Sequence, residues 1–397
     1  MTDMTTTPML TAAQAAARLG VKPATLYAYV SRGLLDRRRT PQGSRFEALA
    51  IEEFAARRTR RRPPDTVQAA GSPLMVLDTD VAVVLDDELF LRGRDVTRLA
   101  TGSTLADVAR WLWDMTDPWP RVDAADAADI RRAVSALPAS ASPLDRIRTA
   151  VTVLAATDPL RADTSTEQLR RAAARVLVHL PCALDAADPP TLWHALSARA
   201  PSAEDRRALE AALILVVDHD LAVSTMAARM AASARGSAYA IVGAALGAFE
   251  SPLHGTASRA ARALLDDVRS GADPADAIAA AVARTGRGVP GFGQRLYTGT
   301  DARAAALLPL VYALPGGADL RAAVAGLSEV LVRRVGLHPN VDLALAALTI
   351  AAEMPRMPGR RSSRSGAPWA GSRTAWTSTR NRRCGLRPRG RYVGPMP

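Results

Sequence analysis

Cysteine is nearly absent: Cys182 and Cys384 are the only two in 397 residues. They support neither a disulfide framework nor a cysteine-based metal centre, and a reducing, cytoplasmic setting follows. Aromatic residues are scarce too, at 4% of a chain that is 48% hydrophobic, and the apolar content is mostly Ala, Leu and Val. Small apolar side chains favour helices in close contact, so a helical body is expected and a β-architecture is not. A membrane anchor is also missing from the pattern. No basic-then-apolar leader opens the chain, and the strongest apolar run, "AALILVVDHDLAVSTMAARM", is broken by Asp218, His219 and Asp220 before it spans a bilayer.

Acid is unevenly missing. Residues 1–62 hold 12 Lys and Arg against 5 Asp and Glu, residues 63–355 hold 28 against 34, and residues 356–397 hold 11 against none. The net charge of +12 therefore belongs to two basic ends around an acidic body. The length allows two or three domains with a large core.

Residues 1–62 read as a small module. In "LTAAQAAARLGV" Thr11 is a helix N-cap and Gly20 the stop; "KPATLYAYVSRGLL" gives a second helix, and "DRRRTPQGSRF" a basic hairpin. Two short helices followed by a hairpin fit a winged helix-turn-helix, and the stretch resembles the DNA-binding domains of the MerR type. That resemblance implies DNA contact through Thr25 and Tyr27 on the second helix and through Arg37, Arg38 and Arg45 in the wing. Helix-turn-helix modules also serve protein contacts, and an Arg-rich face is often only solvated. Residues 63–72 read as a polar linker.

From residue 73 the pattern changes. "LMVLDTDVAVVLDDELFLRGRDV" alternates apolar and polar positions and predicts short strands around a turn. Ala- and Leu-rich segments then suggest helix after helix to residue 355, with no repeat of fixed period. The stretch 356–385 has no amphipathic period and no acid, and predicts disorder.

Five histidines narrow the search for chemistry. His179 and His194 stand alone on apolar helical stretches and read as histidines without chemistry, while His338 precedes a proline and shapes a turn. His219 lies between two carboxylates after a strongly apolar segment, where burial and charge both perturb its titration. His254, in "SPLHGTASRA", precedes a glycine at the start of a helical run, where backbone N–H groups gather. For both, a hydrogen-bonded structural histidine is the alternative. Asp342, in "HPNVDLALA", opens an apolar helix and reads on its own as an N-cap.

"LVVDHDLAVSTMAAR", "SPLHGTASRAA", "PGFGQRLYTGTDARA", "HPNVDLALA" and "LRPRGRYVG" resemble, in order and spacing, the motifs of citrate synthases. The resemblance covers about residues 73–355 and 386–394. It implies an all-helical dimer with a large domain (73–252) and a small domain (253–355). It implies no tightly bound cofactor, with acetyl-CoA as co-substrate and oxaloacetate as acceptor. His254 matches the catalytic histidine that donates to the thioester carbonyl, and Asp342 the base that removes a methyl proton. His219, Arg303 and Arg387 match oxaloacetate ligands, Arg387 from across the dimer, and Gly291 and Gly293 lie where backbone groups approach CoA.

Two departures accompany the match. Gln294 stands where the family has the histidine that donates to the ketone of oxaloacetate. A neutral amide reaches as far but cannot share a proton, and loss of such a donor costs about 10² to 10³ in rate. Second, the helices that carry a further substrate arginine are replaced by the Arg/Ser/Trp stretch 356–385. Residues 359–384, back-translated and read one base over, contain "GRTVGWIAH", a family-like segment. An out-of-frame interval ending near Leu386 is the expectation. The regulator alternative, a metabolite-sensing body with a DNA-binding module, stands beside the enzyme.

Overall fold

Thr11 begins the first helix in the computed structural model, which describes residues 9–60, 76–184, 191–219, 222–250, 257–286, 288–293, 296–297, 299–355 and 389–392. Its hydroxyl accepts from Gln14 N, and the Gln14 side chain returns to the backbone of Thr11, a reciprocal cap. Gly20, at φ +64°, ends that helix. The module runs β1 (Met9–Thr11), α1 (Ala12–Leu19), α2 (Pro23–Ser31), β2 (Arg38–Thr40), β3 (Gly43–Glu47) and α3 (Ala48–Arg60). Strand order β1-β3-β2, all antiparallel, makes the wing, with Thr40 opposite Gly43 at its tip. The expected linker lies outside the described residues.

The module does not stand apart. Leu10, Ala16, Leu19, Leu26, Phe46 and Ile51 belong to the same apolar core as the body helices. Arg18 forks onto the buried Glu52. Burial pushes the Glu52 carboxyl above the usual range and Arg18 pulls it back.

Strands open the body as the alternation predicts: β4 (Val76–Thr79), β5 (Ala82–Leu85), β6 (Glu88–Leu91) and β7 (Arg94–Asp95). Asp86 and Asp87, at φ +49° and +64°, turn β5 into β6 as a tight hairpin. Helices follow: α4 (Val96–Gly102), α5 (Leu105–Leu112), α6 (Ala124–Ser135), α7 (Pro143–Thr157), α8 (Thr166–Ala183), α9 (Leu192–Leu196) and α10 (Ala203–Leu215). Next come α11 (Val223–Ser233), α12 (Ala238–Phe249), α13 (Ala257–Arg269), α14 (Pro274–Thr285), α15 (Ala302–Tyr312), α16 (Gly317–Arg334) and α17 (Val341–Ala351). Strand β8 (Arg389–Tyr392) pairs in parallel with β4, Val76 opposite Arg389, so the chain returns to where the body begins. The stretch 356–385 lies outside the described residues. Among the described residues no helix is long and apolar enough to cross a membrane.

Two main cores organise the helices. One joins the module, β5–β6, α4, α10 and α13–α17. The other joins α6, α7, α8 and α12. In the second, Arg175 links Asp126, Leu154 O and Tyr239 Oη, and Tyr239 Oη donates to Asp158 at 2.8 Å. Burial raises the Tyr239 phenol to about 12. His179, fully inside, accepts from Asp123 N at 2.9 Å, so its Nδ1, 2.8 Å from Arg175 O, carries the proton. It is a structural histidine, as expected. His194 bonds through Nδ1 with Thr191, whose hydroxyl caps α9.

Candidate active site

Asp342 does not cap its helix. Asn340 takes that place, its side-chain oxygen accepting from Asp342 N at 2.9 Å and from Leu343 N at 3.4 Å. This corrects the reading of Asp342 as a bare N-cap: the carboxylate sits one position inside the first turn and is left to other work. It is half-buried, and burial pushes its carboxyl above the usual range; Arg303 pulls it down and Asp301 adds to the rise. A carboxylate made more basic by its surroundings suits proton abstraction.

Two loops hold that helix start. Residues 288–293 lead out of α14 and residues 335–340 lead out of α16, and they pair through an isolated bridge between Phe292 and Pro339. Gly293 N donates to His338 O at 2.8 Å, Asn340 N to Gly291 O at 2.9 Å, and Asn340 Nδ2 to Gly293 O at 2.8 Å. Of the backbone groups of Gly291 and Gly293 expected to approach a nucleotide, Gly291 O, Gly293 N and Gly293 O bond across the loop pair. Packing also requires glycine at both positions. A Cβ at Gly291 would meet the Leu343 side chain at 2.9 Å, and one at Gly293 would meet Leu337 at 2.9 Å, both at positive φ.

Arg303 is in the same neighbourhood but is not an open clamp. At 1% exposure its Nε and Nη2 fork onto Asp301 at 3.0 and 2.9 Å. Asp301 also caps α15 through Arg303 N and accepts from Val341 N at 3.0 Å, tying α15 to the start of α17. A buried guanidinium needs a carboxylate, and here the chain supplies one, leaving Nη1 as the nitrogen that Asp301 does not take. The Arg303 guanidinium stands 5.3 Å from the centre of the Tyr297 ring. The buried Tyr297 hydroxyl has no hydrogen-bond partner among the described residues and is pushed up to about 12 by burial. Gly299 N donates to Asp87 at 2.8 Å, which anchors this turn to the β5–β6 hairpin.

His219 follows α10, half-buried, its N–H donating to Asp218 at 2.9 Å. His254, Gln294 and Arg387, each expected at the site, lie outside the described residues. The structure thus brings Asp342, Arg303, Gly291 and Gly293 into one neighbourhood. Sequence reading missed Asp301 and Asn340. Both were legible as Asp and Asn immediately before helical runs. Tyr297 carried no such signal.

In the module, Lys22, Arg37, Arg38 and Arg39 are exposed, with Thr25 and Arg45 half-buried; the Arg37 guanidinium lies 5.8 Å from the centre of the partly exposed Tyr27 ring.

Comparison with known proteins follows the same division of the chain. Residues 72–359 match the family described as "Citrate synthase, C-terminal domain", and residues 9–59 match a "Helix-turn-helix domain". A 2-methylcitrate synthase of Shewanella oneidensis is 28% identical over 243 residues, which is 54% of this chain and 64% of that protein. A citrate synthase of Deinococcus radiodurans is 27% identical over 229 residues, 52% of this chain and 60% of that one. The chain thus spans less than two thirds of the length of these curated relatives. Among solved structures, a citrate synthase of Pyrobaculum aerophilum superposes with a TM-score of 0.59 at 21% identity, over 81% of this chain and 86% of that one. One of Thermotoga maritima gives 0.57 at 23%, over 73% and 85%. These two likenesses concern the fold.

Proposed function

Because this chain belongs to the citrate synthase family, we propose that it is an acyltransferase that condenses acetyl-CoA or propionyl-CoA with oxaloacetate in the cytoplasm. The observation that carries the reading is Asp342: spared the capping role that Asn340 fills, half-buried and made more basic by its surroundings, beside a buried arginine. Asp342 takes a proton from the carbon next to the thioester carbonyl, and the resulting enolate carbon attacks the ketone carbon of oxaloacetate. Water then cleaves the thioester, releasing CoA as the thiol. A carbon acid this weak needs its enolate oxygen stabilised as charge develops, the role assigned to His254. His219, Arg303 and Arg387 hold the dicarboxylate, Arg303 through its Nη1 edge or after exchanging Asp301 for the substrate.

Gln294 slows the reaction by offering the ketone a neutral donor. Steady-state release of CoA thiol from acetyl-CoA with oxaloacetate, wild type against Gln294→His, tests this: a gain of about 10² in kcat is expected, and no gain would remove the explanation.

A homodimer completes the reading. Helix α11 buries none of its residues within the chain, α12 buries only Ala238 and Tyr239, and Val223, Met230 and Phe249 are exposed along them. Such apolar surface marks an interface, and a two-fold arrangement would pair it with itself.

The second reading, a DNA-binding module, is favoured by how charge is segregated. Glu47 and Glu53 pair with Arg334 of the body and Glu52 pairs with Arg18, while Lys22 and Arg32 at the ends of α2 and Arg37, Arg38 and Arg39 at the wing remain exposed. A duplex is the partner such a face suits, with salt-sensitive binding as its mark.

A further inference from the structure

We infer that the N-terminal module is a regulatory seat for the candidate active site. It grips both chain segments that run into the site loops, so a duplex bound to its outward face and a substrate bound at the site influence each other. The inference rests on the function proposed above.

The grip is made at two places. At the end of α14, Gln14 Nε2 donates to Ala283 O at 3.4 Å, and the Arg18 guanidinium lies so close to Gly288 that a Cβ there would be 3.4 Å from Nη2. At the end of α16, Arg334 donates from Nε to Glu53 at 2.8 Å and from Nη2 to Glu47 at 3.2 Å. Module residues on α1, β3 and α3 thus hold the last turns of two body helices.

Both helices lead directly into the site. Past Ala283 the chain turns at Gly286 and reaches Gly291 and Gly293; past Arg334 it turns at Gly336 and reaches His338, Asn340 and Asp342. These two stretches are bonded to one another, as described, and Asn340 fixes the helix turn that presents Asp342. A shift of the seat therefore has few residues over which to dissipate before it reaches Asp342. Within the module, Glu52 makes the link stiff: it is 1% exposed and holds Arg18 from inside the seat. Helix α2, flanked by the exposed Lys22 and Arg32, packs on α1. Coupling between two sites is reciprocal in free energy, so either ligand should alter the affinity of the other, typically by about 5-fold or more.

The test uses the full-length protein. Backbone hydrogen exchange is read with and without saturating oxaloacetate, at the loops 288–293 and 336–342 and at the seat segments 12–19 and 48–58. Slowing of about 5-fold or more in both regions is expected. In the double variant Gln14→Ala/Arg334→Gln the loops should still slow while the seat no longer does. Loops that respond in the wild type while the seat stays unchanged would overturn the inference and leave the substrate site standing. No response in either region would remove the substrate site and the coupling with it. A second arm measures binding of a labelled 30-base-pair duplex from upstream of the protein's own gene by fluorescence anisotropy. An affinity that changes about 5-fold with oxaloacetate supports the link, and an unchanged affinity overturns it. If the duplex does not bind at all, the DNA reading fails and the link from substrate to duplex falls with it.

Discussion

Replacing Asp301 by asparagine should destabilise the body severely, because the buried carboxylate has two dependants. It receives two guanidinium nitrogens of Arg303, a side chain 1% exposed, and the N–H of Val341 at the start of α17. Asparagine keeps the shape but leaves a positive charge buried without its partner, a loss of about 3–5 kcal/mol for a pair removed from one side. The weakened bond to Val341 N adds about 1 kcal/mol. Urea unfolding followed by circular dichroism reads the loss as a lowered midpoint. The companion experiment is Asp301→Leu with Arg303→Met. The double change removes charge and partner together, so it should cost less than the single changes added, whereas independent sites add. A single-variant loss below about 1 kcal/mol, or simple additivity, would refute the claim that this pair locks α15 to α17.

Asp342→Asn should abolish thiol release, a loss of at least about 10², and raise the thermal midpoint at pH 7. The sign follows from the direction of its pKa: a carboxyl raised in the fold binds its proton more tightly there than unfolded. Its ionised form therefore costs stability above the folded pKa, and wild type and variant should converge as pH falls below about 4, the range of an unfolded aspartate. Gly291→Ala forces a Cβ to 2.9 Å from Leu343 and 3.0 Å from Ala261 at φ +79°, and should cost about 1–3 kcal/mol by thermal unfolding together with activity. Tyr297→Phe removes a buried hydroxyl that has no partner among the described residues and should leave stability equal or higher by about 1 kcal/mol. A clear loss would show that the hydroxyl bonds something.

Local chemistry is legible in the amino-acid order itself. Thr11 with Gln14, Gly20, the "LDDE" turn and the alternation after residue 73 each announce their element, because caps, left-handed stops and period-two strands depend on neighbours in sequence. The helical body and the placing of Asp342 at a helix start are legible for the same reason. What is not legible depends on residues far apart or on folding back into a core. Arg303 reads as an open clamp since nothing in "TDARA" says that the guanidinium turns onto Asp301 inside the body. Gly291 and Gly293 read as ligand-facing glycines, and nothing in their sequence announces the close packing against Leu343 and Leu337. The seating of the module on α14 and α16 joins residues some 270 to 290 apart and has no sequence signature.

The most direct measurement is release of CoA thiol by the purified full-length protein given acetyl-CoA or propionyl-CoA with oxaloacetate, beside Asp342→Asn under the same conditions. Oxaloacetate-dependent release by the wild type, reduced at least about 10²-fold in the variant, is the predicted result. Equal rates in the two proteins, or no oxaloacetate-dependent release with either thioester, would contradict the assignment of Asp342 as the base of an acyltransferase.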